Sequence, residues 1–490
     1  MTNLLFAQPK QNWVDSTYQS LTLEQKIGQL FMPMVFSQGD QNHYQKATSA
    51  IEKYHLGGII FSKGTIAEQV RLTNEFQNKS SVPLLIAMDA EWGMAMRISD
   101  VSPFPFQMTL GAIQNDSLLY QLGQLMANRQ RRVGVHLNFS PVVDVNTNSK
   151  NPVIGLRSFG SDPKLVSQKG SMIIRGMQDG GLMTSIKHFP GHGNTSTDSH
   201  HTLPLVNHDI NHLNRIELYP FKTLIDEGVF SVMVGHLEVP TLEQTKGLPS
   251  SLSSSIIHDL LVKEFGFDGL VVTDALNMKG VSDYSGKQSS SLGSFLAGAD
   301  LLLIPDDLPI AFEDIRNAFM SGAIAEKRLA HSVKKILNAK FDAKLHKSKL
   351  VLGDSLFQDI ETSDAAKLNH QLAEASLTVI QNKNQILPIQ QFENTNIAYV
   401  KIGEATGDYF LDRMRHYTSI EELSLTEMLA NHKDYTHIIV GLHQPDHSPF
   451  IKHKLSQEVI EKLKELCAQT KVNLVTFANP YSLLKLPLDA

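Results

Sequence analysis

The densest run of reactive side chains is Ser185-Ile-Lys-His-Phe-Pro-Gly-His-Gly-Asn-Thr-Ser-Thr-Asp-Ser-His-His-Thr-Leu-Pro204. It leaves the end of an apolar stretch and sets Lys187, His188, His192, Asp198, His200 and His201 among Pro190, Gly191 and Gly193, a loop composition that carries titratable groups. Asp198 and His200 flank Ser199, so a modest turn brings the carboxylate to one imidazole nitrogen and leaves the other facing a substrate. That arrangement tunes a histidine for proton transfer. The same residues allow a second chemistry. His188 and His192 are four apart, and with Asp198, His200 and His201 they could complete a metal site of nitrogen and oxygen ligands, the basis of a metal-dependent hydrolase. Against it, Phe189, Pro190 and Gly191 break the helix that a four-residue ligand spacing exploits.

The elements that must position these groups read as parallel strands. Short apolar runs recur at 30–36, 57–61, 84–88, 137–145, 183–188, 230–234, 270–273 and 301–304, most of them separated by enough chain for a helix. An N-terminal helix over 21–30 precedes them, opened by a threonine with Gln25 three residues on. Asp89, Asp144, Lys187 with His188, His236 and Asp274 each fall at or just beyond the C-terminal end of a run. In a (β/α)8 barrel that edge is where active-site residues converge, so the fold expected for 15–345 is an α/β TIM-type barrel. A Lys- and Asp-rich stretch over 346–364 reads as a linker. Runs at 377–380, 396–402, 437–442 and 472–477, with a helix over 458–469, make 365–490 a smaller α/β sandwich unit.

The totals narrow the class. The 490 residues are 42% hydrophobic, enough for a large core and too many for one ordinary domain. A net charge of −6 with dispersed basic residues gives no sign of a nucleic-acid footprint, so no nucleic-acid partner is expected, and it suits a small substrate that is neutral or weakly charged. Cys467 is the only cysteine, so no intrachain disulfide can form. No apolar run reaches the length of a membrane-spanning helix. Residues 1–14 form a terminus in which Leu-Leu-Phe-Ala-Gln resembles the tail of an export signal without its basic region. The expected location is periplasmic or secreted, with a frayed terminus on a cytoplasmic protein as the alternative.

Lys187-His-Phe-Pro-Gly-His-Gly-Asn-Thr195, followed by Asp198-Ser-His200 and Leu203-Pro204, resembles the hallmark loop of bacterial β-N-acetylglucosaminidases of glycoside hydrolase family 3. In those enzymes an Asp-His dyad replaces a glutamate as general acid/base, which implies His200 as the proton carrier and Asp198 as its orienting partner. His201 is the neighbouring candidate for the same role. Gly266-Phe-Asp-Gly-Leu-Val-Val-Thr-Asp-Ala-Leu-Asn-Met278 matches a second family motif and implies Asp274 as the nucleophile at the anomeric carbon. The competing account of Asp274 is a cap on the next helix. The resemblance further implies that Asp89, Arg97, Arg157, Lys187, His188 and His236 bind the terminal sugar, their bidentate donors and carboxylates being apt for vicinal hydroxyls. A buried ion pair across the barrel top is the competing account of these charges, and Glu91 and Asp144 are read as structural.

In one place the chain departs from the family pattern. Trp92 and Met94 stand where glycines usually follow the aspartate, so an aromatic either stacks on a pyranose face or fills the rim. Ala373-Glu-Ala-Ser-Leu-Thr-Val-Ile-Gln-Asn382 and Ile386-Leu-Pro388 echo the opening of the family's C-terminal sandwich, which is expected to be incomplete at Ala490. The reading reached is a retaining exo-β-N-acetylglucosaminidase acting on peptidoglycan fragments, with no cofactor and no metal. Its rivals are the metal-dependent hydrolase, a non-catalytic carbohydrate-binding module, and a family 3 phosphorylase. The last follows because a histidine in place of a glutamate removes a negative charge that would repel phosphate.

Overall fold

A computed structural model describes residues 2–198, 202–284, 289–347, 350–390, 392–403, 409–444, 448–450 and 455–486. The chain divides into two units, Met1–Leu377 and Thr378–Ala490.

The first unit is a barrel of eight short parallel strands. Strand β1 comes in two pieces, Phe31–Met32 and Met34–Phe36, parted by Pro33, which has no N–H to give to a ladder. The others are β2 Gly58–Ser62, β3 Leu85–Met88, β4 Leu137–Asn138, β5 Met183–Phe189, β6 Ser231–Val234, β7 Leu270–Thr273 and β8 Leu302–Leu303. Met34–Phe36 of β1 through to β7 pair in sequence order. The ring closes where Phe31 and Met32 pair with Leu302 and Leu303, and where Val272 of β7 bridges Leu301. Residues of β2 to β8 are buried on both faces, which is why these strands read as continuous apolar runs rather than alternating ones. The expected run at 137–145 yields only a two-residue strand, because Pro141 interrupts the ladder; Val142 beyond it bridges Lys187.

The helix expected over 21–30 is Leu23–Gly28, opened by a capping box in which Thr22 Oγ1 accepts from Gln25 N at 3.3 Å and Gln25 Oε1 accepts from Thr22 N at 3.0 Å. Thr2–Ser20 is also helical and buries Val14 and Tyr18. Residues read as a linker fold back on the barrel: the helix Leu356–Ile360 is held by Arg129 Nε to Ile360 O at 2.8 Å, and Arg132 Nε meets Asp359 Oδ2 at 2.7 Å. The helix Ser363–Ala375 then buries Leu368 and Leu372, so the first unit extends to Leu377.

The second unit is a four-stranded parallel sheet, with β9 Ile397–Ile402, β10 Ile420–Leu423, β11 His437–His443 and β12 Val472–Phe477 in the order β10-β9-β11-β12. Helices Leu425–Asn431 and Gln457–Gln469 accompany it. The strand expected at 377–380 does not form. Leu377, Val379 and Ile380 are at least 66% exposed, and strand propensity without a covered face has no burial to draw on. Edge strand β10 has Glu421 and Glu422 at its centre and so lacked an apolar run.

Two outer helices, Asp116–Arg132 and Pro163–Asp179, meet through glycine. A Cβ at Gly176 would overlap the Tyr120 carbonyl oxygen, and one at Gly123 would overlap that of Ile173. Gly123→Ala and Gly176→Ala should therefore each cost about 1–3 kcal/mol, read as a lower urea midpoint at unchanged slope.

Candidate active site

At the C-terminal mouth of the barrel, the end of β5 breaks the usual alternation. Its pairing with β6 shifts register between Ile186 and Phe189, and successive residues Lys187 and His188 both find partners at the mouth. Lys187 Nζ lies 2.8 Å from Asp89 Oδ1 and 2.7 Å from Glu91 Oε1. Arg97 Nη2 donates to Asp89 Oδ2 at 3.0 Å, and its Nε reaches Asp89 O at 3.2 Å. Arg157 grips Glu91 bidentately, Nε to Oε2 and Nη2 to Oε1, both at 2.8 Å. Burial alone would raise both carboxyls, but Arg157 and Lys187 hold Glu91 far below its usual range, and Lys187 and Arg97 hold Asp89 low. Against burial, the same carboxylates raise Arg157 and Lys187 above their usual values. The result is a fixed, fully charged lattice on one side of the mouth.

Asp144 organises the other side. Its Oδ2 is 2.7 Å from His188 Nδ1, and its carboxylate accepts from His188 N at 3.2 Å and from His192 N at 2.7 Å. His188 Nε2 then stands 3.4 Å from Arg157 Nη2. His192 Nδ1 meets Thr195 Oγ1 at 2.6 Å, and burial followed by the nearby His188 charge pushes its pKa down to about 4, so this ring is neutral at neutral pH. The loop that follows is tied down at its root. Asn151 Nδ2 donates to His192 O at 2.8 Å, Asn148 Nδ2 to Thr195 O at 3.0 Å, and Asn194 Nδ2 to Thr147 Oγ1 at 2.6 Å. A Cβ at Gly193 would overlap the Val145 carbonyl oxygen, which is why this turn requires glycine. Asp198 is partly buried and its carbonyl accepts from Thr202 N at 3.0 Å. His200 and His201 lie outside the described residues.

Asp274 stands at the end of β7, its N–H given to Val234 O at 2.9 Å and its Oδ1 accepting from Ala275 N at 2.8 Å. It caps nothing: the next helix, Lys279–Ser282, has Met278 at its cap position and no side-chain cap. His236 is buried beside it, Nδ1 at 2.7 Å from Ser251 Oγ and Nε2 at 3.0 Å from Ala275 O. Burial pushes the Asp274 carboxyl up, yet His188, His236, the Ala275 N–H and Lys187 together bring its pKa down to about 2. An ionised carboxylate held beside cationic and donor groups at the mouth is equipped to attack an electron-poor carbon.

Residues 22–339 match the glycosyl hydrolase family 3 N-terminal domain. The chain belongs to glycosyl hydrolase family 3. A β-hexosaminidase A of Pseudoalteromonas piscicida is 29% identical over 79% of this chain and 69% of its own length. A β-hexosaminidase of Mycobacterium tuberculosis is 30% identical over 65% of this chain and 83% of its own. The solved structure of a family 3 β-N-acetylglucosaminidase from Paenibacillus sp. str. FPU-7 superposes with a TM-score of 0.76 at 30% identity, covering 96% of this chain and 92% of that one.

In this family 3 enzyme, the residues read from sequence as sugar-binding, Asp89, Arg97, Arg157, Lys187, His188 and His236, all stand at or beside the barrel mouth with Asp274. The competing ion-pair account describes Arg157 well, since Glu91 and Val153 O engage both its Nη groups. Asp89, with a side chain 19% exposed, keeps an open rim. Trp92 packs edge-on against Phe106, ring centroids 5.0 Å apart. Of the metal constellation read from sequence, His200 and His201 lie outside the described residues, and His188 and His192 turn their Nδ1 atoms to Asp144 Oδ2 and Thr195 Oγ1. The metal-type cluster that does assemble is His208, His212 and Glu217, which the sequence reading missed although His208 and His212 are four apart. Burial raises the Glu217 pKa to about 7.

Glu91→Gln should leave Lys187 and Arg157 with an uncompensated buried charge. The expected cost is about 3–5 kcal/mol of stability, measured by denaturant titration, together with loss of most glycosidase activity.

Proposed function

We propose that this enzyme is a retaining, exo-acting β-N-acetylglucosaminidase that releases terminal β-linked N-acetylglucosamine, with peptidoglycan fragments as its substrate class. The observation that carries the reading is Asp274: an ionised carboxylate at a barrel-strand end that caps no helix and stands beside His188, His236 and Lys187. The hexosaminidase and N-acetylglucosaminidase names of its relatives support this choice of sugar.

In the first step Asp274 Oδ attacks the anomeric carbon as the bond to the leaving oxygen breaks, and His200 gives that oxygen its proton. Asp198 holds the imidazole in the donating orientation and stabilises its cationic form. In the second step His200 takes a proton from water, the resulting hydroxide equivalent attacks the same carbon, and the Asp274 carboxylate departs. Two inversions at one carbon retain its configuration. Asp89, Arg97, Lys187 and His188 grip the sugar hydroxyls while Glu91 and Asp144 keep those groups aimed. The leader-like composition of residues 1–8 supports a periplasmic or secreted setting over a cytoplasmic one, where cell-wall fragments would be met.

Asp274→Ala should abolish turnover of a chromogenic N-acetylglucosaminide with folding intact, and a fluorinated substrate should label Asp274 in a peptide mass map; an adduct elsewhere refutes the nucleophile. His200→Ala should spare the first step for good leaving groups and slow it for poor ones, since only the latter need a proton. Run in phosphate buffer, the reaction should give free sugar rather than sugar 1-phosphate. With its pKa depressed from 3.8 to about 2, Asp274 is charged above that value and is lost only as pH falls through it. The labelling rate with a good leaving group should therefore be flat from neutral pH to about 5, below which His192 also titrates, and a midpoint above about 5 contradicts the assignment.

A further inference from the structure

Beside the root of the loop lies a cluster that the proposed reaction does not use. His208 precedes the helix Ile210–Arg215, His212 sits within it, and Glu217 stands at the head of Leu218–Asp226. One ligand-type atom from each falls within 4.8 Å of the other two. His212 Nε2 is 3.4 Å from Glu217 Oε1, matching the edge of a tetrahedral site whose metal bonds are about 2.1 Å long. The two imidazoles stack with centroids 4.0 Å apart and planes at 16°, so one ring turns about its side-chain bonds to bring its in-plane lone pair to a shared ion. Glu217 is 1% exposed, and neither of its oxygens nor His212 Nε2 has a hydrogen-bond partner among the described residues. A carboxylate buried without donors is costly unless a charge answers it. His208 Nε2 lies 3.0 Å from Asn194 Oδ1. In the tautomer that donates there, Nδ1 keeps its lone pair, which is the support that metal-bound histidines usually have.

We propose that His208, His212 and Glu217 bind a first-row divalent cation of the zinc type, with water in the fourth position. Two imidazoles and a carboxylate are a donor set that suits this ion. The ion ties the two helices to Asn194, and through Asn194 Nδ2, 2.6 Å from Thr147 Oγ1, braces the segment leading to Asp198. Glu217 also packs under Gly191, where an added Cβ would lie 2.6 Å from Glu217 Cβ. The site is structural and is independent of the roles given to Asp274 and His200.

Tag-free full chain, stripped with chelator, dialysed and titrated with zinc chloride alone, should bind a single equivalent by calorimetry and melt at a higher temperature. Glu217→Gln, which keeps the shape and removes the charge, and His208→Asn, at a partly exposed position, should each weaken zinc binding about tenfold or more with the circular dichroism unchanged. Asn194→Ala should weaken it about tenfold. If Glu217→Gln misfolds, His208→Asn carries the test. Wild-type chain that takes up no zinc, or zinc binding retained at full affinity in the folded variants, overturns the proposal. Binding and melting are read without glycoside turnover, so failure here is distinguishable from failure of the proposed reaction.

Discussion

Glu91 is the point on which the barrel mouth depends. It is 4% exposed and neutralises two cations, Lys187 from strand β5 and Arg157 from the short 3-10 turn Gly155–Arg157. Burying a charge is tolerable only when it is paired and its remaining hydrogen-bonding positions are filled. Here two guanidinium N–H groups and one ammonium fill those of the carboxylate. Because Glu91 takes one face of Lys187, the ammonium is held where it also reaches Asp89. The positions of Asp89, Arg97 and Lys187 thus follow from one buried carboxylate rather than from three independent rotamer choices.

Asp144 does for the histidines what Glu91 does for the bases. Two backbone N–H groups and one ring nitrogen converge on it from His188 and His192, so the turn that leads from β5 towards Asp198 is fixed at its start. Asp274 stays ionised beside these groups, although burial alone would raise its carboxyl. Preorganised charge of this kind costs no reorganisation when an oxocarbenium-like centre develops beside it.

Much of the barrel was legible because strands buried on both faces leave uninterrupted apolar runs, and polar residues such as Asp89, His236 and Asp274 punctuate their ends. The partner choices were not legible. Nothing local to Glu91 tells that Arg157, 66 positions on, will grip it with both arms, since that depends on which strand ends become neighbours. Glu217 was invisible for a related reason: a lone glutamate between two helical stretches reads as surface, and its burial comes from long-range packing that includes Gly191. In the second unit, β10 was missed because an edge strand has no need of an apolar run, whereas 377–380 had the run and lacked a partner surface.

The pairing of Phe31 and Met32 with Leu302 and Leu303 joins the first barrel strand to the last. During synthesis the chain emerges N-terminus first, so β1 is made long before its second neighbour exists. Until Leu303 leaves the ribosome, two open edges with unpaired amides and carbonyls persist on a half-built sheet. The nascent barrel therefore carries two pairing-competent edges through every stage of synthesis between its first strand and its last.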